Sequence, residues 1–182
     1  SVLSAVSGIG SKGLARVSRR TPEEIGPEFD ALWGRKIKED SAFMAYRDCE
    51  TLEWCTNLMA MSSDVTLFCY EDEGGLRGYL IFLKQITENI SLTRGKIVDL
   101  LVENDDPKVV DSLFRSAFTH AREEGCHLFE VVGFRALMKE TLKIYRPLTR
   151  TLPTFPFQFV ANSPALKRQL QEIENWYPSL ID

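Results

Sequence analysis

The 182-residue chain is 44% hydrophobic and 26% charged, the balance of a globular domain and not of a disordered segment. Its formal charge is -4 and it has no basic stripe interleaved with aromatics, which argues against a nucleic-acid partner. No apolar run reaches the roughly 18 residues needed to span a bilayer, and at this length roughly 70% of the unfolded surface is buried without a disulfide or a metal.

Residues 1–14 are dominated by serine, glycine and other small side chains. They lack the charged start and long apolar centre of a signal peptide, and read as a linker or N-terminal extension ahead of a folded domain over 15–182. The basic residues Lys12, Arg16, Arg19 and Arg20 read as a solvated cluster. A short first strand is expected at 15–20. Thr21-Pro22-Glu23-Glu24 has the form of a capping box with proline at the first helical position. Gly26-Pro27 can restart a helix, along which Ile25, Phe29, Leu32, Trp33 and Ile37 share a stripe. A second helix is expected over about 48–60, capped by Asp48, with Leu52, Cys55, Leu58 and Met59 on one face. Trp33 and Trp54 fit packing between helix and sheet.

Val65–Tyr70 is rich in β-branched and aromatic residues, and Leu76–Lys84 is a second such run. Glu73-Gly74-Gly75 between them can supply the positive φ of a tight turn, so the two read as a hairpin. Lys96–Glu103 (KIVDLLVE) is nearly continuously apolar with one aspartate, the pattern of a strand covered on both faces. Asp106-Pro107 then caps and starts a helix. Its apolar residues Val110, Leu113, Phe114, Ala117, Phe118 and Ala121 fall on one stripe, and Gly125 ends it. His127–Phe134 (HLFEVVGF) is the next strand, which makes a strand–helix–strand crossover. A short helix from Arg135 to about Tyr145, a strand at Phe155–Ala161, a helix from Ser163-Pro164 to about Asn175 and an irregular end at Trp176-Tyr177-Pro178 complete the chain. Cys49, Cys55, Cys69 and Cys126 form no C-x-x-C pair and read as buried, reduced thiols of a cytoplasmic protein.

The pieces FDALWGR, LRGYLIF, KIVDLLVE and SAFTHAREEG, in this order of elements, resemble the Gcn5-related N-acetyltransferase superfamily. They are most similar to a bacterial acetyltransferase-like subgroup in which two such domains lie in tandem. The resemblance implies an α/β fold with a mixed, mostly antiparallel central sheet flanked by helices. It implies transfer of an acyl group from acetyl-CoA or another acyl-CoA to a small amine or amino-sugar, with a second such domain or a homodimer as a further partner. The pantetheine arm would pair with the backbone of the Val98–Glu103 strand, at Leu100, Leu101 and Val102. The pyrophosphate would rest on amides at Asn104, Asp105 and Lys108, since free N–H groups at a helix start attract phosphate. The family's loop at that place is rich in glycine. Here Glu103-Asn104-Asp105-Asp106-Pro107-Lys108 has no glycine and three carboxylates beside Asn104. This departure supports an alternative, a degenerate non-catalytic module for ligand binding or dimerisation.

Three carboxylates are candidates for catalysis. Asp99 lies inside an apolar strand, where an unpaired charge is unfavourable. It is either a general base or a structural carboxylate held by backbone or a nearby arginine. Glu103 stands at the strand end, closer to solvent. Glu130 lies in the following strand, as an acid–base group or a paired core carboxylate. His120 falls on the polar side of its helix and reads as solvated. His127 beside Cys126 lacks the further ligands of a metal site.

Overall fold

Gly75 adopts φ 91° between two runs of strand-forming residues, which lets the chain turn tightly into a hairpin. In the computed structural model, which describes residues 16–39, 42–131, 136–149 and 159–180, β1 is Val17–Arg20, β2 is Asp64–Asp72 and β3 is Gly75–Thr87. Strands β4 and β5 are Leu92–Val102 and Leu128–Val131. The sheet order is β1-β2-β3-β4-β5. All pairs are antiparallel except β4 with β5, which run parallel with Lys96 opposite Glu130 and Ile97 opposite Val131. Between β3 and β4 the register shifts, so that Ile81 faces Asp99, Phe82 faces Ile97, and Val98 bulges.

Helices cover both faces. They are α1 (Pro27–Glu39), α2 (Cys49–Ala60), α3 (Pro107–Glu123), α4 (Ala136–Leu142) and α5 (Pro164–Gln171). Tyr79 and Phe82 project from opposite faces of β3. Tyr79 meets Phe29 of α1, with ring centroids 5.5 Å apart, and Phe82 meets His120 of α3 at 5.3 Å. The capping box at Thr21 is present, and Asp48 and Ser163 accept hydrogen bonds from Thr51 N and Leu166 N at the starts of α2 and α5. Gly125 takes φ 65° after α3. The α3 stripe buries Val110, Leu113, Phe114, Ala117 and Ala121 against β2 and β3, with Phe118 half-buried.

Several expectations need correction. On α1 the inward stripe is Phe29, Leu32 and Lys36, and Ile37 is exposed. On α2 the core takes Leu52, Cys55 and Thr56, while Leu58 and Trp54 point outward, Trp54 with 66% of its surface exposed. All four cysteines are free, but Cys49 is only half-buried. The last helix ends at Gln171 and a 3-10 turn follows over Ile173–Asn175. Of the strand expected at Phe155–Ala161, residues 155–158 lie outside the described residues, and Phe159–Ala161 carry no strand. The 1–14 linker and the end of the 127–134 strand also lie outside them. No helix among the described residues is long and apolar enough to cross a membrane.

Candidate functional site at the end of β4

Strand β4 runs into a 3-10 turn, Glu103–Asp105, and then into α3. The turn reverses the chain without glycine, because Asn104 and Asp105 take φ 54° and 47°. Asparagine and aspartate are the side chains that tolerate the left-handed region best after glycine.

The donors of this turn are largely taken. Asn104 N–H donates to both carboxylate oxygens of Glu39, each at 2.8 Å. Asp106 N–H turns back to the Glu103 carbonyl. Lys108 N–H donates to the Asp106 side chain at 2.8 Å, which is the N-cap of α3. Pro107 has no N–H. Glu39 is itself held by Lys36, whose Nζ lies 2.6 Å from Glu39 Oε1 and 2.7 Å from Asp105 Oδ1. The Lys36 side chain is 1% exposed, so α1 drives a cation under the turn. Lys108 is exposed, and Asp105 is buried.

Glu103 is buried between two arginines. Arg35 Nε donates to its Oε1 at 2.9 Å, and Arg77 Nε lies 2.9 Å from Oε2, although Oε2 makes no aligned hydrogen bond. The expectation of a carboxylate open to solvent is corrected by this clamp.

Asp99 sits in the second of its two expected settings. It is fully buried, and Arg47 Nε lies 3.2 Å from each of its oxygens. Tyr79 donates its hydroxyl to Oδ2 at 2.6 Å. Burial, then the Asp99 charge, pushes the Tyr79 hydroxyl well above its ordinary range, so it stays a donor. Arg47 also donates to the Ala45 carbonyl and to Ser179 Oγ. A carboxylate held by Arg47 Nε and the Tyr79 hydroxyl and sealed from water is out of hydrogen-bond reach of any acceptor's proton.

Glu130 is half-buried on β5, with its Oε1 3.9 Å from Arg94 Nη1. It shares no hydrogen bond with Asp99 or Glu103 among the described residues. Leu100, Leu101 and Val102 are buried in β4. Beyond Ile97, where the described part of β5 ends, the edge of β4 away from β3 takes the C-terminal segment. Leu180 N–H donates to the Val98 carbonyl at 2.9 Å, and the Tyr177 hydroxyl donates to the Leu100 carbonyl at 3.0 Å. The structure thus brings Glu103, Asn104, Asp105 and Lys108 into one turn beside Leu100–Val102. Sequence reasoning missed Glu39, Lys36, Arg47 and Tyr177. Only Lys36 left a signal, at the i+7 position from Phe29 on the apolar stripe.

One further expectation changes. His120 is half-buried between Phe68 and Phe82, with centroids 5.6 and 5.3 Å away, and is not a solvated side chain. The Tyr145 hydroxyl donates to Asp111, which Arg115 also holds at 2.7 Å. His127 accepts a bond from Thr93 N–H, and no group of three metal-ligating side chains exists among the described residues.

No family model matches the sequence, and no curated protein matches it. Solved structures do. A ribosomal-protein-alanine N-acetyltransferase from Brucella melitensis biovar Abortus 2308 superposes with a TM-score of 0.56 at 15% identity, over 79% of this chain and 99% of that one. An aminoglycoside acetyltransferase from an uncultured soil metagenomic sample gives 0.56 at 18% identity, over 79% and 95%. A predicted acetyltransferase from Clostridium acetobutylicum, solved with acetyl-CoA, gives 0.56 at 12% identity, over 78% and 94%. The chain has the fold of the Gcn5-related N-acetyltransferases: a five-stranded, mostly antiparallel sheet flanked by helices.

Proposed function

We propose that this chain is a non-catalytic module on the acetyltransferase fold, serving binding or dimerisation and not acyl transfer. The observation that carries the reading is the Glu39 carboxylate seated on Asn104 N–H, braced by buried Lys36. An acyl-CoA diphosphate needs unblocked amides at this turn. Here it would have to displace the Glu39 carboxylate from Asn104 N–H and the Asp106 cap from Lys108 N–H. The residues present therefore do not fit the diphosphate, and no transfer step is derived through acyl-CoA.

A thermal-shift titration of the full chain with acetyl-CoA tests this. A ligand at 100 times its dissociation constant stabilises a protein by about 2.7 kcal/mol, which is a shift of several degrees. The expected result is no shift at millimolar acetyl-CoA. A saturable upward shift overturns the reading.

A second reading, acyl transfer from acyl-CoA to a small amine or amino-sugar, is favoured by one observation. The fold matches that of a predicted acetyltransferase solved with acetyl-CoA, and Leu100, Leu101 and Val102 lie in the strand that would carry the pantetheine arm. It needs Glu39 and the C-terminal segment to withdraw, and it leaves Glu103 or Glu130 as base, since Asp99 is fully paired. Transfer of label from acetyl-CoA to an aminoglycoside would establish it.

A further inference from the structure

Two helices carry surfaces that their own chain leaves open. Helix α2 turns Leu52, Cys55 and Thr56 into the core. On its opposite side Trp54, Leu58 and Met61, at i, i+4 and i+7, are 66%, 56% and 84% exposed. Apolar side chains on two opposite sides are the pattern of a helix covered on both. Glu50, Glu53 and Asn57 stand with Trp54 around an open hollow on that outer side. The helix has these two acidic side chains and no basic one, which disfavours a nucleic acid or an anionic lipid surface as the cover.

Helix α5 is the counterpart. It is eight residues long and buries none of them, and an isolated helix of that length is marginal in water. Leu166 and Leu170 are half-buried, while Pro164, Lys167, Arg168 and Gln171, at i, i+3, i+4 and i+7, are exposed on one side. Among the described residues none of Glu50, Glu53, Lys167 and Arg168 takes part in an ion pair. The two helices are rooted at one place. Phe43, five residues ahead of the Asp48 cap of α2, forms a parallel bridge with Trp176, five residues past the end of α5. A twofold axis beside that bridge can present both helices of one copy to a second copy at once.

We infer that α2 and α5 form a reciprocal contact between two copies of this chain, α2 of each copy against α5 of the other. The aliphatic stems of Lys167 and Arg168 cover Trp54 and Leu58, with the Arg168 guanidinium on the indole face, and the two cations meet Glu50 and Glu53. Packing α2 on α2 instead would bring together acidic charges alone. The inference rests on the dimerisation reading above and names its partner, but its test is separate: a mass decides the contact, whereas the acetyl-CoA titration decides the loss of acyl transfer.

Light scattering during size-exclusion chromatography of the full chain at about 100 µM is expected to give twice the 20.7 kDa chain mass. Glu50→Lys with Glu53→Lys, and separately Lys167→Glu with Arg168→Glu, are each expected to give the monomer mass, because like charges then face each other. An equimolar mixture of the two variants is expected to recover the dimer, since both contacts again join opposite charges. All four side chains are exposed, and circular dichroism checks that the variants fold. A parent chain that stays monomeric up to about 1 mM, a dimer that survives either reversal, or folded variants that fail to pair on mixing overturns the inference. Where a charge variant does not fold, Trp54→Ala takes its place and is expected to weaken the dimer at least about tenfold; an unchanged dimer there overturns the inference equally.

Discussion

Arg47 and Asp99 form an ion pair from which water is excluded: the arginine Nε lies 3.2 Å from each carboxylate oxygen, and neither side chain has exposed surface. The pair joins the irregular segment after α1 to the middle of the sheet, and Tyr79 completes it. Desolvating two charges offsets most of their attraction, whereas removing one partner leaves the other charged and buried. Asp99→Ala is therefore expected to destabilise the chain by about 3–5 kcal/mol. The double variant Asp99→Leu with Arg47→Met is expected to recover most of that loss. Urea unfolding of the two variants beside the parent measures it, and equal losses in both would remove the ion-pair account.

Glu39 and Asn104 give a second test. Glu39→Ala leaves Asn104 N–H without its acceptor and Lys36 with one carboxylate fewer. Losing a charged hydrogen-bond partner costs about 1–3 kcal/mol, and a lower urea midpoint of that size is expected. If the freed amide is the only obstacle to a diphosphate, the same variant gains a thermal response to acetyl-CoA that the parent lacks. If the neighbouring carboxylates Glu103, Asp105 and Asp106 also repel it, the variant loses stability and gains nothing.

Glycines Gly95 and Gly34 are expected to respond oppositely to alanine. A Cβ on Gly95 would lie 2.6 Å from Phe82 Cε2 and 2.7 Å from its Cζ. That ring is fully buried and fenced by Phe68, His120 and Phe129, so it cannot yield. Overpacking of this kind costs about 1–3 kcal/mol. Gly34 lies within α1 with nothing inside 4 Å of an added Cβ, so alanine there gains roughly 0.5–1 kcal/mol from helix propensity. Melting temperatures of the two variants should fall on opposite sides of the parent.

What could be read from the sequence was what neighbours in sequence decide. Caps at Asp48, Asp106 and Ser163, the positive-φ turn at Gly75 and the α3 stripe are local, and all stand in the structure. The β2–β3 hairpin and the β4–α3–β5 crossover followed from local pattern as well. The site's decisive contacts are not local. Glu39 meets Asn104 across 65 positions, Arg47 meets Asp99 across 52 and Tyr177 meets Leu100 across 77. Charged residues at apolar positions, such as Lys36 among Phe29 and Leu32, break the pattern that reveals burial. Arg47 and Tyr177 lie in segments without any period. The acidic turn was visible as chemistry, but which carboxylate would seal its amide was fixed by the packing of α1 against it.

His120 offers a pH test whose sign is set by burial. Its ring lies between Phe68 and Phe82, and its Nδ1 is buried without a hydrogen-bond partner. Burial, reinforced by the Arg19 charge, lowers its pKa from the usual 6.5, while Glu123 and Glu124 oppose this and Lys84 adds to it. Between the lowered folded value and 6.5 the unfolded chain binds more protons than the folded one, so stability rises with pH through that window and is complete above it. As pH falls below 6.5 this contribution is lost, until the folded imidazole is protonated too. His120→Phe removes the titration and keeps an aromatic ring among its neighbours. Urea unfolding from about pH 8 to about pH 5.5 should show a decline in the parent that is shallower in the variant, the difference isolating this one ring from the carboxylates that titrate lower. Parallel profiles for the two proteins would mean that the imidazole ionises in the folded chain as freely as in the unfolded one, and that the aromatic enclosure does not govern its charge.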